Sequence, residues 1–226
     1  MQAAQSTRSY TPVKQQRSPV IVLSLFVIVL AALGFGAWTF LLNQQDGSAT
    51  RLVPENEPVK GDRDAPVTVV VFADFQCEAC STFASDVLPQ LDADFIEKGI
   101  VRFAFRHYPL GGKDSVRAAV AAECAGQQGK FWKMHDLLYG WKSGTNADKF
   151  PPELVKTLSL GLSVNSREFD ACVDDPIPII PIEDGLRAGF AMGVRTLPAV
   201  FVNGVYTGDD FDYTRISALV LNAAGE

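Results

Sequence analysis

Cys77 and Cys80 stand three positions apart in the run V-T-V-V-V-F-A-D-F-Q-C-E-A-C-S, residues 67–81. Two thiols so spaced can close into a disulfide, trade it with another pair, or supply half of a zinc site. Zinc needs two further ligands, and the candidates are Cys124, Cys172, His107 and His135, none of them in a second close-spaced pair. An inert structural disulfide needs nothing more. Exchange needs a thiolate, and therefore a place that favours the charged sulfur.

The flanking sequence supplies such a place. Val67 to Phe72 is apolar and rich in β-branched residues, which reads as a buried strand. Ser81 to Lys98 has helical periodicity, with Pro89 expected to kink it. Strand, cysteines and helix in that order deliver Cys77 to a helix N-terminus, where unpaired N–H groups and a partial positive charge stabilise an anion. Redox exchange is the chemistry this layout favours. Glu78 and Ala79 form the dipeptide between the cysteines, and the Glu78 carboxylate opposes ionisation of Cys77. Asp74, three residues before Cys77, could accept a proton from Cys80 or could serve as a capping carboxylate.

Further along, Ile100 to Tyr108 alternates as a second strand, ended by Pro109, Gly111 and Gly112. Asp114 is placed to cap a helix over Ser115 to Gln128, and helices follow at Lys130 to Trp141, Pro152 to Leu160 and Ser166 to Val173. A proline-studded run (Pro176, Pro178, Pro181) precedes a helix at Ile182 to Met192. Ala199 to Val202 reads as a strand, Asn203-Gly204 as a hairpin turn, and Val205 to Thr207 as the returning strand. Asp210 or Asp212 then caps a last helix reaching about Asn222. His107 and His135 read as packing histidines in apolar surroundings. Cys124 and Cys172 can be a second redox pair, a staple across the helical block, or two free thiols, and spacing does not choose among them.

The N-terminal part is of another kind. Val20 to Leu42 runs 23 residues without a charge, long enough at about 1.5 Å per residue to cross a bilayer core of about 30 Å. Arg8, Lys14 and Arg17 precede it, and residues 1–45 contain no acid. The expectation is a cytoplasmic tail at 1–19, an uncleaved single-pass anchor at 20–42 and an extracytoplasmic remainder, with a cleaved signal peptide as the rival. Residues 43–63 read as a flexible linker that adds nothing to the core. Net charge is −6 despite those N-terminal cations, so the remainder is acidic, which argues against nucleic acid as a partner. Four cysteines suit an oxidising compartment.

Three blocks carry a resemblance: F-A-D-F-Q-C-E-A-C (72–80), G-K-F-W-K-M-H-D-L-L (129–138) and G-V-R-T-L-P-A-V-F-V-N-G (193–204). In this order they resemble the DsbA-like thiol:disulfide oxidoreductases, the BdbD-like or Thioredoxin_4 branch of the thioredoxin fold. The resemblance implies an α/β domain over 64–226, β-α-β followed by β-β-α, with a helical insertion at about 113–193. It implies that Cys77 is the nucleophile and Cys80 the resolving cysteine. It implies that Pro198 is cis and faces Cys77, with Leu197 offering backbone hydrogen bonds to an extended substrate. Partners would be cysteine-containing proteins or peptides, with a membrane redox protein of the DsbB or VKOR kind to reoxidise the pair. Neither cofactor nor metal is called for. The chain departs from the usual pattern at Glu78, where proline is common, at Leu197, where threonine or valine is common, and at Val71, where relatives often carry a buried acid. Two alternatives stand beside the oxidase: a membrane-tethered reductase or isomerase, and a non-catalytic peptide-binding module.

Overall fold

The computed structural model describes residues 34, 53–54, 57–141, 149–175 and 179–225. Among the described residues five strands form one sheet: β1 (Val59–Lys60), β2 (Val67–Ala73), β3 (Val101–His107), β4 (Ala199–Val202) and β5 (Val205–Tyr206). Their spatial order is β1-β3-β2-β4-β5. β2 lies parallel to β3 and antiparallel to β4, with Val71 opposite Phe105 on one side and Val200 on the other. Every β2 residue is buried, as a central strand covered on both faces must be. Val67, Val69, Val71 and Ala73 face the larger core, while Val70 and Phe72 face a smaller one with Tyr108 and Phe201.

A helical run leaves β2 through the cysteines and extends from Glu78 to Ile96 (α1). It alternates α-helical Glu78–Thr82 and Leu88–Leu91 with wider π turns at Phe83–Val87 and Asp92–Ile96. Pro89 sits in the second α segment. A proline lacks its N–H and crowds the carbonyl four residues back, and the wide turn just before it relieves that conflict. The expected kink is thus a change of helical pitch.

The helical block follows: α2 (Lys113–Gly126), α3 (Phe131–Gly140), α4 (Pro152–Ser159), α5 (Ser166–Asp174) and α6 (Ile179–Ala191). Asp114 is not the cap of α2. Gly112, at φ 78°, occupies that position, and Asp114 instead bonds Arg117 Nη1 at 2.6 Å and accepts from the Phe150 amide at 3.3 Å. α6 begins before its expected start because Pro181 falls in its first turn, where a missing N–H costs nothing. Its approach to the sheet depends on Gly185, since a Cβ there would lie 2.2 Å from the His107 carbonyl oxygen. Asn203 (φ 46°) and Gly204 (φ 83°) make the left-handed turn of the β4–β5 hairpin. α7 (Tyr213–Ala224) starts at Asp212, whose side chain makes no capping bond, and it buries Ile216 and Val220.

The reading of 43–63 as a linker outside the core needs correction where it is described. Val53 is buried in the smaller core, Glu57 is 4% exposed, and β1 pairs antiparallel with β3, Val59 opposite Ala104. The described residues from Val53 onward form one compact unit. The tail and span expected at 1–42 lie outside the described residues, Gly34 excepted. Among the described residues no helix is long and apolar enough to cross a membrane.

Candidate active site

Cys77 is the N-cap of α1, with its backbone extended (φ −76°, ψ 120°). Its amide donates to the Asp74 carbonyl at 3.0 Å, which closes the turn out of β2. Its Sγ accepts from the Cys80 amide at 3.1 Å. The sulfur therefore occupies the place of a capping oxygen, where a first-turn N–H and the helix dipole stabilise negative charge. Cys77 and Cys80 are disulfide-bonded, their Cα atoms 5.2 Å apart. Cys80 is 1% exposed and Cys77 is half-buried, so an incoming sulfur can reach only Cys77. Glu78 is exposed beside it and Ala79 is half-buried.

The Leu197–Pro198 peptide bond is cis, and the Leu197 carbonyl oxygen lies 3.7 Å from Cys77 Sγ. The loop before β4 thus faces the reactive sulfur, with Leu197 half-buried and Pro198 buried at its base.

Asp74 is 4% exposed and wholly engaged. Its Oδ1 accepts from the Gln76 amide at 2.8 Å; its Oδ2 accepts from the amides of Leu110 (2.7 Å) and Gly111 (2.9 Å) and from Ser115 Oγ (2.8 Å). None of these bonds involves a cysteine. The carboxylate ties the active-site turn to the loop that follows β3, the capping role rather than the proton-accepting one. Gln76 adds bonds from Nε2 to the Gly111 carbonyl and Ser115 Oγ, both 2.8 Å.

Beneath the pair lies an aromatic layer. Phe75 stacks on Phe105 at 5.4 Å, and Tyr139 lies 4.8 Å from Phe75. The Tyr139 hydroxyl donates to the Asp74 carbonyl at 3.3 Å. Burial holds its pKa well above the ordinary value, so it remains a donor. His135 bonds Asp136 through Nδ1 at 2.9 Å, and its pKa is lowered by burial. His107 Nε2 meets Glu123 at 2.8 Å. Both histidines are packing residues with one acidic partner each. Cys124 and Cys172 are bonded to each other, Cα atoms 5.8 Å apart, joining α2 to α5, so the staple is the arrangement present. A cleft of about 590 Å³ lined by Glu57, Glu123, Phe131, Trp132 and Ile180 contains no cysteine.

Sequence reasoning missed the anchoring of the proline loop. Thr196, Tyr206 and Asp209 form a hydrogen-bonded cluster beside it, and only the adjacency of Thr196 to Leu197 could have drawn notice to it.

A disulfide capping the helix that leaves a central strand, opposite a cis-proline loop on a mixed sheet, defines a redox protein of the thioredoxin fold. The chain belongs to the Thioredoxin_4 family, whose model, described as Thioredoxin, matches residues 54–222. It is 30% identical over 169 residues to "Disulfide bond formation protein D" of Bacillus subtilis, covering 74% of this chain and 76% of that protein. It is 31% identical over 211 residues to "Probable disulfide bond formation protein D" of Bacillus cereus, covering 85% and 90%. The crystal structure of oxidised BdbD from Bacillus subtilis superposes with a TM-score of 0.71 at 28% identity, covering 76% of this chain and 95% of that one. The expected DsbA-like membership is borne out: the chain is a thiol:disulfide oxidoreductase.

Proposed function

We propose that this protein is a membrane-anchored oxidase that introduces disulfides into cysteine-containing proteins outside the cytoplasm. The observation that carries the reading is the position of Cys77 Sγ, between the Cys80 amide at 3.1 Å and the Leu197 carbonyl at 3.7 Å. A substrate thiolate attacks Cys77 Sγ, the Cys77–Cys80 bond breaks, and Cys80 leaves as a thiolate that takes up a proton. A second substrate thiolate then attacks the substrate sulfur of the mixed disulfide and expels Cys77 as a thiolate. The substrate has lost two electrons and two thiol protons; the pair holds the electrons as a Cys80 thiol and a Cys77 thiolate, and the second proton passes to solvent. The helix N-terminus, worth about 0.3–2 kcal/mol to a nearby anion, makes Cys77 the better leaving group of the two.

Leu197, set in place by the cis-Pro198 bond, would hold an extended substrate segment through backbone hydrogen bonds. Reoxidation falls to a membrane redox partner of the DsbB or VKOR kind, which an anchor at 20–42 keeps within reach. The uncharged run, the preceding cations and the disulfide formation proteins among the relatives support this placement. The test is the reduction potential of Cys77–Cys80 together with refolding of a reduced disulfide protein. About −120 to −180 mV with Cys77-dependent refolding supports an oxidase, and about −270 mV supports the reductase or isomerase. Refolding that persists in Cys77→Ser would leave the peptide-binding module as the better description.

A further inference from the structure

The Leu197–Pro198 loop is held from outside by three side chains from three segments. Thr196 Oγ1 donates to Asp209 Oδ1 at 2.8 Å, the Tyr206 hydroxyl donates to the same oxygen at 2.8 Å, and the two hydroxyls are 3.4 Å apart. Thr196 precedes Leu197, Tyr206 ends β5, and Asp209 lies in the connection to α7. All three are exposed, where a hydrogen bond competes with water and adds little to global stability. What the cluster does fix is local: the segment next to the carbonyl that faces Cys77 Sγ at 3.7 Å. Two donors on one oxygen hold the Asp209 pKa below its ordinary value, so the acceptor is anionic at neutral pH and both bonds are charge-assisted.

We infer that Asp209 is a positioning residue for disulfide exchange: through Thr196 and Tyr206 it sets the loop edge along which an extended cysteine-containing segment lies against Cys77. The inference rests on the reading that this loop receives substrate backbone. Its chemistry is preorganisation. A loop already fixed in the receiving geometry loses less entropy when a peptide docks. Asp209 touches neither sulfur, so its contribution belongs to capture and not to the redox chemistry.

The full chain, with Asp209→Ala, Thr196→Val and the double variant, is assayed for exchange with a two-cysteine peptide and for equilibrium with dithiothreitol. Loss of either partner should raise KM for the peptide about three- to tenfold, the yield of a hydrogen bond or two of this kind, with kcat and the dithiothreitol equilibrium unchanged. The double variant should be no worse than the poorer single one, because both remove the same contact. Asp209→Asn, which keeps an acceptor oxygen, should recover most of the loss. Unchanged KM in Asp209→Ala, or fully additive effects, would overturn the assignment. Hydrogen exchange over residues 194–198 separates the two layers. Protection in the peptide mixed disulfide of Cys80→Ser, with KM unchanged in Asp209→Ala, keeps loop capture and rejects the clamp. No protection there rejects capture, and the clamp with it.

Discussion

Cys77 Sγ lies 3.7 Å from the carbonyl oxygen of Leu197, although 120 positions separate the two residues in the chain. The contact joins the turn after β2 to the loop before β4, two antiparallel neighbours whose register sets Phe72 opposite Ala199. The reactive sulfur and the receiving loop are therefore held by the same pair of central strands.

Glu78 is exposed one residue after Cys77, and a like charge near a thiolate raises its free energy. Screening by water limits a contact of this kind to about 1 kcal/mol. Glu78→Gln should shift the equilibrium with glutathione toward the reduced dithiol by about two- to fivefold, the lower end of which is roughly 10 mV. The same variant should alkylate faster at Cys77 at neutral pH. An unchanged equilibrium would show that the charge does not reach the sulfur.

Asp74 accepts four hydrogen bonds from two segments. Asp74→Asn turns a donor group toward other donors and should cost about 2–3 kcal/mol in urea unfolding. The shape of the pH–rate profile for exchange should stay as in the parent. Loss of one limb of that profile would restore Asp74 as a proton acceptor.

The Cys124–Cys172 bond closes a loop across 48 positions in the helical block. Its removal in Cys124→Ala/Cys172→Ala should lower unfolding free energy by about 2–4 kcal/mol and leave Cys77-dependent exchange in place. Exchange activity lost from a folded double variant would revive the reading as a second redox pair.

Glu57 meets Arg106 Nη2 at 3.1 Å inside the domain. Burial pushes its pKa from 4.5 to about 7, although Arg106 pulls the other way. The folded protein keeps this proton between pH 4.5 and about 7 while the unfolded chain releases it. Stability therefore falls as pH rises through that window and levels off above it, by up to about 3 kcal/mol for a shift of this size. In Glu57→Gln that decline should be missing from the unfolding free energy measured against pH. The same decline in the variant would mean that other groups cause it.

Much of this arrangement was legible in the chain. β2 declared itself as an apolar run and β3 by its alternation, and Asn203-Gly204 named its turn because few residues accept left-handed backbone. The C-x-x-C spacing between strand and helix was enough to place Cys77 at the start of a helix, and the structure makes it the N-cap. β1 was not legible: two residues in a stretch rich in prolines and acids have no periodicity, and their pairing with Phe103 and Ala104 is made more than forty positions away. Glu57 looked like one more solvated acid of a tether, because burial beside Arg106 depends on the folded sheet. The same holds for Asp74, whose four donors come together only once β2 and β3 lie side by side. Thr196 and Asp209 are separated by 13 positions and meet only around the hairpin.

The central claim is that Cys77 is the sulfur that trades partners. In the Cys80→Ser chain no resolving thiol remains, so when the disulfide-linked dimer of a one-cysteine peptide is offered, the Cys77 thiolate should displace one peptide as a thiol and keep the other as a mixed disulfide, which mass spectrometry should place on Cys77. The same peptide offered to Cys77→Ser should leave Cys80 unmodified, as its burial requires. A mixed disulfide on Cys80, or none on Cys77, would contradict the account.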